Sequence, residues 1–284
     1  MTRRHDLEHR RNSLAEIRDI MNSMRTLAYM ETRKLARVLD AQRAVVESIE
    51  AAATDLLGWY PDILPATKET TPVCLVIGSE RGFCGDFNHT LLGSLESTVP
   101  AQSHGHPLLI VAGRKLHPLL EDDTRMVTRL DGASMLEEVT TLLNQMVTAL
   151  TTLQKKHGPL TVYCLYHGNE GGIAMQKLLP PFQHLQTRPA RFAHPPLLNL
   201  SPQELLGELT DHHLFAALHE MLYTSLMVEN QQRASHLQGA VQHLDDESDR
   251  LARHCNALRQ EEIIEEIEVI LLGARDAGEP RRQE

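Results

Sequence analysis

Proline is missing from both ends of this 284-residue chain. Residues 1–57 hold neither Pro nor Gly, residues 203–279 hold no Pro, and thirteen of the fourteen prolines fall between Pro61 and Pro202. A proline inside a helix costs roughly 3 kcal/mol and a glycine about 1 kcal/mol, so each end is free to form one long helix. At 1.5 Å per residue such helices reach ~85 Å and ~105 Å, wider than a domain the middle could fold. The pattern predicts a rod with a globular knob. A coiled-coil helix over 1–57 precedes an α/β domain over 58–202; a second coiled-coil helix over 203–277 and a flexible tail over 278–284 follow.

Heptad spacing says what the two helices pack against. In the first, Leu14, Met21, Ala28, Leu35, Gln42, Ile49 and Leu56 fall at one seam position, and Ile17, Met24, Glu31, Val38, Val45 and Ala52 at the other. All but Gln42 and Glu31 are apolar, which predicts a coiled coil, and a strict seven-residue period predicts left-handed winding. The second helix opens at Ser201-Pro202-Gln203-Glu204, an N-cap with Pro at the first helical position and Glu in capping-box register. Its seam runs through Leu214, Leu218, Met221, Ser225 and Val228, weakens over 229–235, and resumes in shifted phase from Leu237 to Leu258. Ile263, Ile264, Ile267, Ile270 and Leu271 then form a stripe too wide for one partner helix, and Gly273 is the expected helix stop. Antiparallel pairing of the two ends leaves this apolar tip projecting.

Charge narrows the partners. The whole excess of ten negative charges lies on residues 203–284, and the first helix carries Arg3, Arg4, Arg10, Arg11, Arg18 and Arg25. Nucleic acid needs a basic face, so it is excluded, and the two helices complement each other. The N-terminus shows no secretory segment, and no apolar run reaches the ~20 residues of a membrane span. Four cysteines without CxxC spacing read as reduced thiols of a cytosolic protein.

Apolar runs at 72–78, 107–113 and 160–166, with a shorter one at 126–130, read as buried strands. Helical segments at Phe87–Thr98, Arg114–Glu121 and Ala133–Lys156 alternate with them, which implies a mostly parallel, Rossmann-like sheet. The loop Gly78-Ser79-Glu80-Arg81-Gly82-Phe83-Cys84-Gly85-Asp86-Phe87-Asn88 is glycine-rich but lacks both the P-loop lysine and GxGxxG spacing, so a structural tight turn is the expectation. Cys84 with His89 is the one nucleophile–base candidate. The pairs His5/His9, His104/His106 and His212/His213 lack a third metal ligand nearby, so no metal and no cofactor are expected.

Three places carry a family resemblance. Ser13, Ile20, Met24 and Arg25 stand in register with an N-terminal family segment. Arg81, Gly82, Cys84, Gly85 and Asn88 match a Ser-Asp-Arg-Gly-Leu-Cys-Gly-Gly-Leu-Asn turn. Arg259, Gln260, Ile263, Glu266, Gly273 and Ala274 match a C-terminal Arg-Gln…Ile…Glu…Gly-Ala signature. The chain resembles the γ subunit of rotary F-type ATP synthases over essentially its full length. Ile264, Val269, Glu261, Asn22, Ser23 and Asp86 depart from the pattern, and the divergence resembles that of the Na⁺-type alternative ATPases. The resemblance implies a central rotor shaft turning inside a ring of α and β subunits. Its α/β domain would stand with ε on the c-subunit membrane ring, at the cytoplasmic face of the membrane. Catalysis would belong to β; Arg259, Gln260 and Glu266 would touch β, with Arg25 as a further contact. The residues alone leave two rivals: a non-motor coiled-coil adaptor with an α/β head, and a nucleotide-dependent enzyme.

Overall fold

The computed structural model describes residues 2–64, 70–98, 106–169, 172–185, 192 and 194–278. Each end of the chain is a single uninterrupted helix, α1 (Thr2–Trp59) and α4 (Pro202–Gly278). Between them in sequence lie β1 (Thr71–Ile77), α2 (Phe87–Thr98), β2 (Leu108–Ala112), β3 (Met126–Leu130), α3 (Val139–His157), β4 (Leu160–His167) and β5 (Ile173–Leu179). This is the α/β fold with two long terminal helices that the proline pattern predicts. The chain divides into two compact units, Leu27–Ala234 and Met1–Thr26 with Ser235–Glu284.

In the first unit, a five-stranded sheet in the order β3-β2-β1-β4-β5 pairs its first four strands in parallel; β5 is antiparallel to β4. The central strands are buried on both faces, which is why they read as continuous apolar runs. Val73, Leu75, Ile110, Val162 and Cys164 face α3 and α4 in the main core, which Leu35 of α1 joins. Cys74, Val76, Leu109, Val111 and Leu165 face the opposite way, against Leu91 and Leu95 of α2. Burial pushes the Cys74 thiol up to about 12 and that of Cys164 well above the ordinary range, so both remain protonated. Over 216–230, α4 is buried nearly all round, as befits a helix with packed neighbours on several sides.

One predicted seam line of α1 holds in this unit: Ala28, Leu35 and Leu56 are buried, and Gln42 and Ile49 are half-buried. The other is displaced by one residue: Leu39, Val46 and Ala53, still seven apart, are buried in place of Val38, Val45 and Ala52. Val45, expected in the seam, is 47% exposed, whereas its neighbour Val46 is buried.

Three further expectations are corrected. The segment Arg114–Glu121 forms only a short 3-10 turn, His117–Leu120, with Pro118 at its start. The helix expected at Ala133 begins with a 3-10 turn and becomes α-helical at Val139. Gly273 does not stop α4, which runs on to Gly278; the rest of the expected tail lies outside the described residues. At the start of α4 the capping box forms: the Ser201 N–H donates to Glu204 Oε2 at 3.0 Å, and the Glu204 N–H donates to Ser201 Oγ at 3.3 Å. The Ser201 hydroxyl, which donates to Glu204 Oε2 at 2.7 Å, and then the Ser201 N–H hold the Glu204 carboxyl below its usual range.

In the second unit the two helices run antiparallel. Arg4 pairs with Glu262 at 3.4 Å, Arg10 with Glu247 at 3.6 Å and Arg18 with Asp245 at 3.4 Å. These pairs are exposed or partly exposed and screened by solvent; they set register more than stability. The basic first helix thus meets the acidic second.

Candidate functional site

The turn after β1 is built around two buried polar side chains. The Ser79 N–H donates to Asn88 Oδ1 at 3.0 Å, and Asn88 Nδ2 donates back to Ser79 Oγ at 2.9 Å. The Cys84 thiol donates to the same Ser79 Oγ at 3.4 Å. Burial pushes that thiol up, so it is a buried donor and not a thiolate, and its partner is Ser79, not the exposed His89. The chain reverses through Phe83 and Gly85 at φ +62° and +64°. Gly85 adopts this region freely; Phe83 does so under strain and is 48% exposed. Arg81 Nε donates to Ser134 Oγ at 3.0 Å.

Parallel α/β sheets take ligands in the crevice outside the carboxyl ends of their strands. Here the amides beyond β2 and β3 are engaged from within. The Glu80 carboxylate accepts the N–H of Gly132 at 2.7 Å and of Arg114 at 3.0 Å, and pairs with the Arg114 guanidinium at 3.0 Å. Gly113 at φ +108° lies so close to the Gly78 backbone that a Cβ would come within 2.6 Å of it. The amides that could cradle a phosphate serve the protein's own carboxylate, and the glycines serve close packing.

The same turn is gripped by α4. Arg233 Nε donates to the Gly82 carbonyl at 3.1 Å, and its Nη2 to the Arg81 carbonyl at 3.2 Å. Arg233 also donates to Asn230 Oδ1 at 2.9 Å and to the Glu229 carboxylate. The Glu229 carboxyl is raised by burial, while Arg233 and then the backbone of Arg81 and Glu80 favour its ionised form. All three α4 residues are at most 5% exposed. In the sequence they fall where the seam weakens; the one legible signal was a Glu and an Arg four residues apart.

In the other unit, Arg25 donates to Asn22 Oδ1 at 2.6 Å and to Gln238, so its guanidinium is held inside the helix pair. Arg259, Gln260 and Glu266 are exposed on α4. With α1 beginning at Thr2 and Arg4 opposite Glu262, the last sixteen residues of α4 (263–278), ~24 Å of helix, run past the end of α1. Ile263, Ile264, Ile267, Val269, Ile270 and Leu271 there are 46–70% exposed. Gly273 and Ala274 lie within this helical end.

The histidines form no metal centre: no group of three or more His, Cys, Asp or Glu that could hold an ion occurs among the described residues. His213 is buried, 3.6 Å from Glu50 and edge-on to Phe182, while His212 is exposed. His104 lies outside the described residues. Among the described residues, no helix is long and apolar enough to cross a membrane.

Residues 3–276 match the family described as ATP synthase. The ATP synthase gamma chain of Pelotomaculum thermopropionicum is 23% identical over 281 residues, covering 95% of this chain and 97% of its own. That of Clostridium botulinum (strain Eklund 17B) is 22% identical over 279 residues, covering 95% and 96%. Among solved structures, a chain of the Euglena gracilis mitochondrial ATP synthase (OSCP/F1/c-ring, rotational state 3) superposes with a TM-score of 0.61 at 15% identity. It covers 100% of this chain and 99% of its own. A chain of the Tetrahymena thermophila mitochondrial ATP synthase central stalk and c-ring gives 0.56 at 14% identity, covering 78% and 99%. At such identities the structures share the fold. With the family match spanning nearly the whole chain, and with the signature residues on the elements described above, the chain belongs to the ATP synthase γ-subunit family.

Proposed function

We infer that this chain is the central rotor shaft of an F-type ATP synthase, coupling ion flow through a membrane ring to ATP synthesis or hydrolysis on partner subunits. One observation carries the reading: α4 continues for sixteen residues beyond the start of α1 and keeps six large apolar side chains exposed there. An apolar patch on a helix end marks a binding surface. An apolar surface without directional bonds can turn in an apolar sleeve, because hydrophobic contact is non-directional. The partners are the α and β subunits around this end, and the ε subunit and c ring at the α/β domain, at the cytoplasmic face of the membrane.

Catalysis belongs to the β subunits. The Cys84 thiol, buried and bonded to Ser79, supports a non-catalytic role for this chain. Arg259, Gln260 and Glu266, exposed at the shoulder of the apolar end, are the polar contacts to β. Arg25 is a weaker contact, since its guanidinium already serves Asn22 and Gln238.

The test is the double variant Arg259→Ala/Gln260→Ala in the assembled complex. Coupled turnover is expected to fall severalfold while assembly persists. Unchanged coupling together with unchanged torque contradicts the assignment.

A further inference from the structure

The buried polar cluster of α4 has no place in the functions discussed so far. Burying an ion pair is weak evidence of stability, because desolvation offsets most of the attraction. Glu229, Asn230 and Arg233 therefore invite a reason beyond stability. Their partners supply one. Arg233 donates to the C=O groups of Arg81 and Gly82 and to the Glu229 carboxylate, and the nearby backbone of Glu80 and Arg81 favours the ionised form of Glu229. Two oppositely charged side chains, one helical turn apart, are thus set against the same three-residue stretch. That stretch immediately precedes the strained Phe83, a conformation that persists only where its surroundings enforce it.

We propose that Glu229 and Arg233 are positioning residues that latch the 79–88 turn onto α4, so that torque passes between the α/β domain and α4 through this contact as well as through apolar packing. The latch rests on the shaft reading for its torque but not for its existence. Apolar side chains packed around α4, such as Leu222 and Leu226, resist separation but offer no directional bond against a helix turning about its axis. The Arg233 fork does, because two N–H groups are aimed at two fixed carbonyls. The turn is itself braced from the far side: Ser79 is bonded to Asn88 at the start of α2, and Arg81 to Ser134. A force on the turn is therefore carried into the sheet.

Arg233→Ala alone leaves Glu229 buried without its countercharge and risks unfolding. Two other variants test the latch. Arg233→Lys keeps the charge but lacks the planar fork, and Glu229→Leu/Arg233→Met removes both charges at similar volume. In the full-length chain, amide hydrogen exchange of residues 82–86 is expected to accelerate at least tenfold in both variants, with β1 and β4 amides unchanged. Equal exchange in wild type and Arg233→Lys overturns the latch. In the chain assembled with its catalytic ring, the torsional stiffness measured from a bead on the α/β domain is expected to fall about twofold, with the unloaded ATP hydrolysis rate unchanged. Unchanged stiffness despite a loosened turn overturns the torque role. A wild-type chain that does not assemble with an ATP-hydrolysing ring overturns the shaft reading and the torque role together, while the exchange measurement still decides the latch.

Discussion

At Glu229 burial and pairing pull in opposite directions. Desolvation raises its carboxyl to about 6, while Arg233 and then the backbone of Arg81 and Glu80 favour the ion. Because the folded value lies above the unfolded one, folding binds a proton between about pH 4.5 and 6. The contribution of this group to stability is complete below about 4.5 and is lost as pH rises through 6. The shift corresponds to roughly 2 kcal/mol at 1.36 kcal/mol per pH unit. Urea unfolding of the full chain and of Glu229→Gln at pH 4.5 and 7 checks this. Wild type should lose that much relative to the variant on going to pH 7, and a constant difference contradicts it. Glu80 shows another use of a carboxylate in the same turn. Aimed at the Arg114 and Gly132 amides, it ties the turn after β1 to the loops after β2 and β3. The absence of phosphate-binding motifs from the loop was legible in the sequence; that its own acid takes up these amides is visible only once three loops meet.

Among the elements, α4 changes character along its length. Over 216–230 it is buried nearly all round; over 263–271 it is exposed on every side. Exposed apolar residues contribute little to the stability of the isolated chain, so Ile267→Glu/Ile270→Glu should change its unfolding free energy by no more than ~0.5 kcal/mol. The same variant should lower coupled turnover of the assembled complex. A loss of several kcal/mol in the isolated chain would mean that the end of α4 is packed rather than free. The extent of both helices was legible in their missing prolines, and the capping box marked where α4 starts. The seam was legible only in part. Heptad spacing placed Val45 inside, but the second buried line of α1 is displaced by one residue, so Val46 takes its place. That displacement depends on packing against α4 and the sheet, which a single helix cannot report. The edge strand β5 escaped because Gln176 and Lys177 interrupt its apolar pattern and only Leu178 is fully buried. Glu229 to Ser235 looked like a weak seam because polar residues normally face solvent; the burial of Glu229, Asn230 and Arg233 is created by the turn from 79 to 88.

For the molecule as a whole, the competing accounts separate by what the chain assembles with. An adaptor would satisfy its exposed apolar helix end by pairing with a second copy. A shaft satisfies it within a ring of other subunits, so one copy of this chain should accompany several copies of its partners. The acidic α4 and the basic start of α1 already complement each other within one chain, through Arg4, Arg10 and Arg18, and the net negative charge that remains opposes pairing with a second copy. The most direct measurement is the mass, stoichiometry and ATPase activity of the complex recovered with the tagged full-length chain from its own cells. The account predicts one copy of the chain with multiple copies of two nucleotide-binding subunits and ATP hydrolysis in the recovered material. A homodimer of the chain, free of ATPase activity, would contradict it.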